Sequence, residues 1–294
     1  IFTERPWSAM GSAPLRLHPF LIGIGYLLPL DISFSVVVFY VFQKMQHVAG
    51  SALGVRLAPG YPFLGEQGAG AILALLSVSL WTGRSHFKRI ALTLMPSRVR
   101  LSSGQGHRAA AALLTVCILC LLAICVRAGM SVWGFAIYIT TYLGVVVGLT
   151  RMRAELGPPI HAIGYATPQH LIVSAFGTRS LGPGNLTMLS MLNWLSGASY
   201  ASFRTHPMPH QMEAMKLADQ SRIRPGAMLM ALFIAGVVGI VGSLIIYPML
   251  IYREGVPSVA EQIHGGGNDT YNFLATWLQS PQPTNWFGMA ALAA

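Results

Sequence analysis

AAAALLTVCILCLLAICV, residues 109–126, runs for eighteen positions without a charged side chain. At about 1.5 Å of rise per helical residue, the run approaches the roughly 30 Å of hydrocarbon in a bilayer. It predicts a transmembrane helix. The stretch before it, 84–108, holds Arg84, Lys88, Arg89, Arg98, Arg100 and Arg108 and no acidic residue. Basic residues in a short loop next to a span resist translocation. The expectation is that 84–108 is cytoplasmic, and every other segment is oriented from it.

Composition agrees with a membrane chain. Hydrophobic residues make up 53% of the 294 and charged residues only 10%, with a mean hydropathy of +0.56. A soluble globule carries roughly 25% charged residues. The net charge of +10 raises nucleic acid as a partner. A nucleic-acid domain, however, gathers its basic residues on a polar face, whereas here they sit in loops between apolar runs. No nucleic-acid partner is expected. The partners implied are the lipid bilayer, a small-molecule substrate and a second copy in a homo-oligomer.

Outward from 109–126, further spans are expected at 20–43, 67–83, 131–150 and 226–252. The first is interrupted by Gly23, Gly25 and Pro29, and the last, at twenty-seven residues, is long enough to tilt. A run from 286 to Ala294 reads as a truncated span. With Ile at position 1, the whole reads as one membrane domain, a fragment of a longer multipass chain. The stretches 157–178 and 180–203 are apolar yet broken by Pro, Gly, His and Asn. Such backbone is tolerated at membrane depth only inside protein or along a watery cavity. A re-entrant pair or two discontinuous spans both fit, with breaks expected near Pro158, Pro168 or Pro183. With a re-entrant pair this topology leaves only Lys44, Arg56, Arg127 and Arg253 of the 19 Lys and Arg residues opposite the basic loop, and two full crossings add Arg179 to them; either split fits the positive-inside bias. Small residues suggest two helix seams: Gly144 with Gly148, and Ala235, Gly239 and Ser243.

Few residues can carry chemistry. Asp31 lies inside the first apolar run, beside Ser33 and Ser35. A carboxylate at the bilayer centre costs about 2.5–3.5 kcal/mol on insertion scales, so it should face a cavity or a partner. Glu66 opens the second span as a pathway candidate or as a carboxylate favouring the helix dipole. Arg153 and Glu155 end the fourth span, where Gly157 and two prolines stop the helix. Glu155 pairs at i, i+4 with Arg151 or contributes, with Arg153, to a gate. His161 and His170 follow in the broken segment. His206, His210 and Glu213 have spacings compatible with a metal, but Pro207 and Pro209 keep the first His off the face of the other two, so no metal is expected. A cytoplasmic amphipathic helix is the better reading of that stretch. Cys117, Cys120 and Cys125 lie in the 109–126 span and read as small packing residues rather than a redox pair. No hydrolase elbow, phosphate loop or zinc pattern is present, and no cofactor or enzymatic activity is expected.

The segments FTERPW (residues 2–7), GYPFLGEQG (60–68), RMRAELGPP (151–159) and RTHPMPHQMEAMKLAD (204–219) resemble those of an uncharacterised family of large bacterial multipass membrane proteins. That likeness covers most of the chain. The family is distantly similar to the oligopeptide transporter superfamily, whose signature motifs have no residue-by-residue counterparts here. The resemblance implies a proton-coupled secondary transporter in the cell inner membrane, with peptides or metal chelates as the substrate class. The fold expected is an all-α polytopic bundle with broken or re-entrant helices in its middle. The rival readings are a membrane-embedded enzyme acting on lipid or peptide, built on His206, His210 and Glu213, and a non-transporting scaffold.

Overall fold

The structure, a computed structural model, describes residues 4–12, 19–54, 61–94, 104–157, 166–196, 203–204, 206–255 and 261–293. Among these the regular structure is all helical, with no strand. After a 3₁₀ turn at Trp7–Met10 come α1 (Pro19–Leu27), α2 (Leu30–Ala52), α3 (Leu64–Leu94), α4 (Gly104–Arg127), α5 (Val132–Leu156) and α6 (Pro168–Met191). They are followed by α7 (Asn193–Ser196), α8 (Pro207–Gln220), α9 (Pro225–Glu254), α10 (Glu261–Gln279) and α11 (Trp286–Ala293). Four segments are long and apolar enough to cross a membrane: Leu64–Ser85, Ala109–Arg127, Val132–Leu156 and Pro225–Glu254. The chain is a membrane-embedded helical bundle.

Local sequence accounts for the helix ends. Pro29 has no N–H and clashes with a preceding helical turn, so the apolar run 20–43 is divided into α1 and α2. The nine residues of α1 fall well short of the roughly 20 that a span requires. At the start of α5, Ser131 accepts from Gly134 N at 3.2 Å, which satisfies one of the orphan amides of the first turn. At its end Gly157 adopts a left-handed φ of 59° and returns its N–H to Arg153 O, a conformation that costs glycine little.

α5 is the hub, packed against α3, α4, α6 and α8. One core gathers Cys125, Met130, Phe135, Tyr138, Ile172 and Leu189 between α4, α5 and α6. A second joins Ala69 and Ile72 of α3 to Val145, Val146 and Leu149 of α5 and to Phe203. Cys117 and Cys120 are exposed on the outer side of α4.

Glycine sets the α3–α5 spacing. A Cβ on Gly148 would sit 2.7 Å from both Ile72 Cγ2 and Ile72 O, and one on Gly144 would lie 3.0 Å from Leu76 Cδ2. The Gly144–Gly148 pair is thus a contact seam. Gly239 on α9 meets nothing within 4 Å, and no α9 residue is buried within the described chain. Gly148→Val should destabilise the bundle by about 1–3 kcal/mol through overpacking, while Gly239→Val should leave it nearly unchanged. The comparison is read from thermal midpoints of the two variants in detergent; equal midpoints would remove the seam.

Within the stretches 157–178 and 180–203, read as broken, the described residues 168–196 are largely buried. In α6, Pro168, Gln169, Leu171, Ile172, Val173, Gly177, Thr178, Leu181 and Asn185 are all buried. The helix is interrupted at Gly177 (φ 72°, ψ 160°) and again at Gly182 (φ 75°, ψ 162°), directly before Pro183. Backbone of that φ and ψ is essentially open only to glycine.

Candidate functional site

The break at Gly177 separates an acceptor and a donor that a continuous helix would pair, Ser174 O and Thr178 N. Both are captured by the extended stretch 281–285 between α10 and α11. Thr178 N donates to Gln282 O at 3.0 Å, and Asn285 N donates to Ser174 O at 3.0 Å. Gln282 N donates to Thr178 Oγ1 at 2.8 Å. Two interrupted helical segments therefore cross and complete each other's backbone hydrogen bonding, as buried peptide groups require. Asn285 then caps α11, accepting from Gly288 N at 2.9 Å.

Amides and hydroxyls line the same helix. Asn185 Oδ1 accepts from Ser131 N at 2.8 Å and from Ser131 Oγ at 2.9 Å, while Asn185 Nδ2 donates to Leu181 O. It ties the second half of α6 to the α4–α5 turn, where Gly184 packs directly on the carbonyl of Gly129. Gln169 is 3% exposed; its Oε1 lies 3.4 Å from Ser196 Oγ, and its Nε2 is buried without a partner among the described residues.

Ser196 belongs to the wall of a cavity of about 290 Å³ lined by Tyr142, Trp194, Leu195, Ser196, Phe203, His206 and Pro207. Tyr142, Phe203 and His206 pack as a ring cluster with centroids 5.9–6.2 Å apart, and Tyr138 stacks behind Tyr142 at 6.0 Å. His206 is the N-cap of α8. Its Nδ1 accepts from Met208 N at 3.3 Å, which leaves the ring proton on Nε2 in the neutral tautomer. Nε2 is 2.9 Å from Tyr142 Oη, which in turn lies 3.5 Å from Leu195 O.

A second tie holds α8 to α5. Arg153, its side chain only 10% exposed, forms an ion pair with Glu213, which is 51% exposed, and Arg153 Nη2 donates to Glu213 Oε2 at 3.1 Å. His210 Nδ1 is 3.8 Å from the same carboxylate. Glu155 pairs with Arg151 at i, i+4. The three residues considered for a metal are thereby divided: His206 bonds to Tyr142, and Glu213 is taken by Arg153. Among the described residues no three His, Cys, Asp or Glu side chains converge.

The remaining sequence candidates lie elsewhere. Asp31 is exposed in the first turn of α2. Ser33 and Ser35 return their hydroxyls to the helix's own carbonyls at Pro29 and Asp31, so neither holds the carboxylate. Glu66 is half-buried in the first turn of α3, where a Cβ on Gly288 would come within 3.2 Å of it. Its neighbour Gln67 contacts Gln46 and donates to Pro62 O at 2.8 Å, beside a larger cavity of about 800 Å³ between α2, α3 and α11. His170 is exposed, its backbone N–H capped by Thr167. His161 lies outside the described residues. None of Asp31, Glu66, Glu155 or His170 lines the cavity at Tyr142.

Tyr142, Gln169, Asn185, Ser196 and Phe203 were not singled out by the sequence. The amides carried a signal, since Gln169, Asn185 and Asn193 interrupt apolar stretches in a region already marked by Pro and Gly. Tyr142 gave none, being one aromatic residue in an apolar helix.

The chain matches the Family of unknown function (DUF6785) over residues 1–294. It belongs to that family. No curated protein and no solved structure matches it. What this DUF6785 chain offers as a site is therefore read from its own geometry: a crossing of interrupted helices, a layer of buried amides, and an aromatic cavity closed on one side by α8.

Proposed function

We propose that this chain is the membrane domain of a secondary transporter that moves small organic solutes, such as peptides or metal chelates, by coupling to a proton gradient. The observation that carries the reading is the crossing of α6 at Gly177 with the stretch 281–285. Interrupting a buried helix sacrifices regular hydrogen bonds, and in membrane carriers such interruptions form solute and ion sites at the interface of moving parts. The cavity against Tyr142 supplies a place for a solute, and its wall residue Ser196 lies 3.4 Å from Gln169 at the start of α6. Asp31, Glu66, Arg153, Glu155 and His170 belong to the reading as pathway residues. A distant relationship to the oligopeptide transporter superfamily is part of the same proposal and is what suggests the substrate class.

The test is uptake into proteoliposomes. With a pH gradient imposed, a labelled dipeptide or a metal chelate should accumulate above its outside concentration, and collapse of the gradient should release it. Equilibration without accumulation for both classes of solute would reject the carrier.

The orientation proposed places the basic loop 84–108 on the cytoplasmic face of the inner membrane. A cysteine introduced at Ser102 should react with an impermeant maleimide only from the cytoplasmic side, and one at Ser258 only from the opposite side. Reaction of both from one face would overturn the orientation.

A further inference from the structure

We propose that the cavity beside Tyr142 binds a small organic ammonium ion, so that a positively charged amine is the recognised group of the solute. The inference deepens the carrier reading by naming the chemistry of its site.

The start of α8 borders the cavity through His206 and Pro207, and a helix start normally offers up to four free N–H groups and attracts anions. Here all four are spent. His206 N donates to Phe203 O at 3.0 Å, Met208 N donates to His206 Nδ1, and residues 207 and 209 are prolines with no N–H. The side-chain donors are also engaged. With Nδ1 acting as acceptor, His206 donates through Nε2 to Tyr142 Oη, and the Tyr142 hydroxyl proton is directed to Leu195 O. Ser196 Oγ donates to Asn193 O at 3.0 Å. The indole N–H of Trp194, a residue 67% exposed, remains at the rim. What the described lining presents is therefore a spare lone pair on Tyr142 Oη, the carbonyl of Leu195, and the rings of Tyr142 and Trp194, with Phe203, 1% exposed, packed against Tyr142.

Lone pairs and aromatic rings, with the inward donors of the described residues engaged, are complementary to a ligand that donates hydrogen bonds and carries positive charge. Aromatic faces attract ammonium groups through the ring quadrupole, most strongly where water is excluded. A carboxylate or phosphate would find no free inward donor among the described residues and would face the oxygen lone pairs. Among the described residues no Asp or Glu lines the cavity, so charge selection rests on the rings and the carbonyl. A volume of about 290 Å³ suits a one-ring amine and excludes larger solutes unless part of the molecule stays outside.

The experiment uses the purified chain in detergent micelles with benzylammonium as the probe, beside its neutral isostere benzyl alcohol and the anion phenylacetate, followed by calorimetry. Benzylammonium should saturate a single site, with benzyl alcohol at least roughly tenfold weaker and phenylacetate not bound. Tyr142→Leu should weaken benzylammonium by about tenfold or more, and Tyr142→Phe, which keeps the ring face, by less. Trp194→Ala at the exposed rim tests the ring contribution without touching the core, and should weaken the amine by a few-fold should Tyr142→Leu fold poorly. Benzyl alcohol binding as tightly as the amine, preferred binding of phenylacetate, the absence of a saturable site, or unchanged affinity in Trp194→Ala would each overturn the proposal. Binding is read without a membrane gradient. A chain that binds the amine but accumulates no solute in proteoliposomes would refute the carrier while leaving the site standing.

Discussion

A Gly177→Ala chain is expected to lose its folded state at a much lower temperature than either the wild type or Gly182→Ala. Both glycines hold a φ near +75° with ψ near 160°, and a side chain in that conformation costs of order 1–3 kcal/mol. Only Gly177 also lies at the crossing. Its added Cβ would sit 2.9 Å from Gln282 O, 3.0 Å from Pro283 C and 3.0 Å from Thr284 N, whereas a Cβ on Gly182 meets nothing within 4 Å. The atoms opposed to Gly177 are backbone, held by the Thr178–Gln282 and Ser174–Asn285 hydrogen bonds, and cannot rotate away as a side-chain tip can. Relief of the contact would open those bonds and strand buried peptide groups, at about 1–3 kcal/mol for each group left unsatisfied. Gly182→Ala bears the conformational cost alone. The comparison is made from the fraction of monodisperse protein surviving a heating series, by size-exclusion chromatography. Equal midpoints for the two variants would mean that the crossing contributes nothing to the fold.

The same pair of glycines shows where the sequence was readable. Long uncharged runs announce helices because nothing else satisfies the backbone in hydrocarbon. The Ala109–Arg127, Val132–Leu156 and Pro225–Glu254 segments follow from counting charges. Pro29, between α1 and α2, and Gly157, after α5, mark helix ends for local steric reasons, so those too were visible. The interruption of α6 was legible as well, since Pro183 and the neighbouring glycines oppose a continuous helix.

What satisfies an interruption is a nonlocal matter. Nothing in residues 281–285 states that Gln282 and Asn285 will meet Thr178 and Ser174, about a hundred positions earlier. The pairing depends on how α10 and α11 dock on α6. For the same reason Glu213 could be read as a metal ligand beside His210. The fold instead brings Arg153 to it from α5, and the i, i+3 relation to His210 survives only as a 3.8 Å approach. Tyr142 became part of a site through the neighbours that α8 and the α7 turn place against it, which no spacing in α5 encodes.

Asp31→Asn is expected to leave stability at or slightly above the wild-type level while abolishing gradient-driven uptake. Removing half of a buried ion pair is strongly destabilising because it leaves an uncompensated charge. That cost does not arise here: among the described residues, Asp31 has no ion pair or side-chain hydrogen bond, and it stands exposed in the first turn of α2. Two opposing effects are then left. The amide forgoes the carboxylate's favourable contact with the helix N-terminus, worth about 0.3–1 kcal/mol. It also escapes the insertion cost of a carboxylate, about 2.5–3.5 kcal/mol at the bilayer centre, and this relief outweighs the lost contact wherever the turn lies within hydrocarbon. Function moves in the other direction. Asparagine keeps the shape and the hydrogen-bonding capacity of the side chain but cannot take up or release a proton, so a carrier that titrates Asp31 in each cycle would stop. Thermal midpoint in detergent and pH-driven uptake in proteoliposomes, measured on the same preparation, separate the two effects. Poor folding of Asp31→Asn would reveal a cation paired with this carboxylate, whereas full uptake by a stable variant would move the coupling residue elsewhere in the chain.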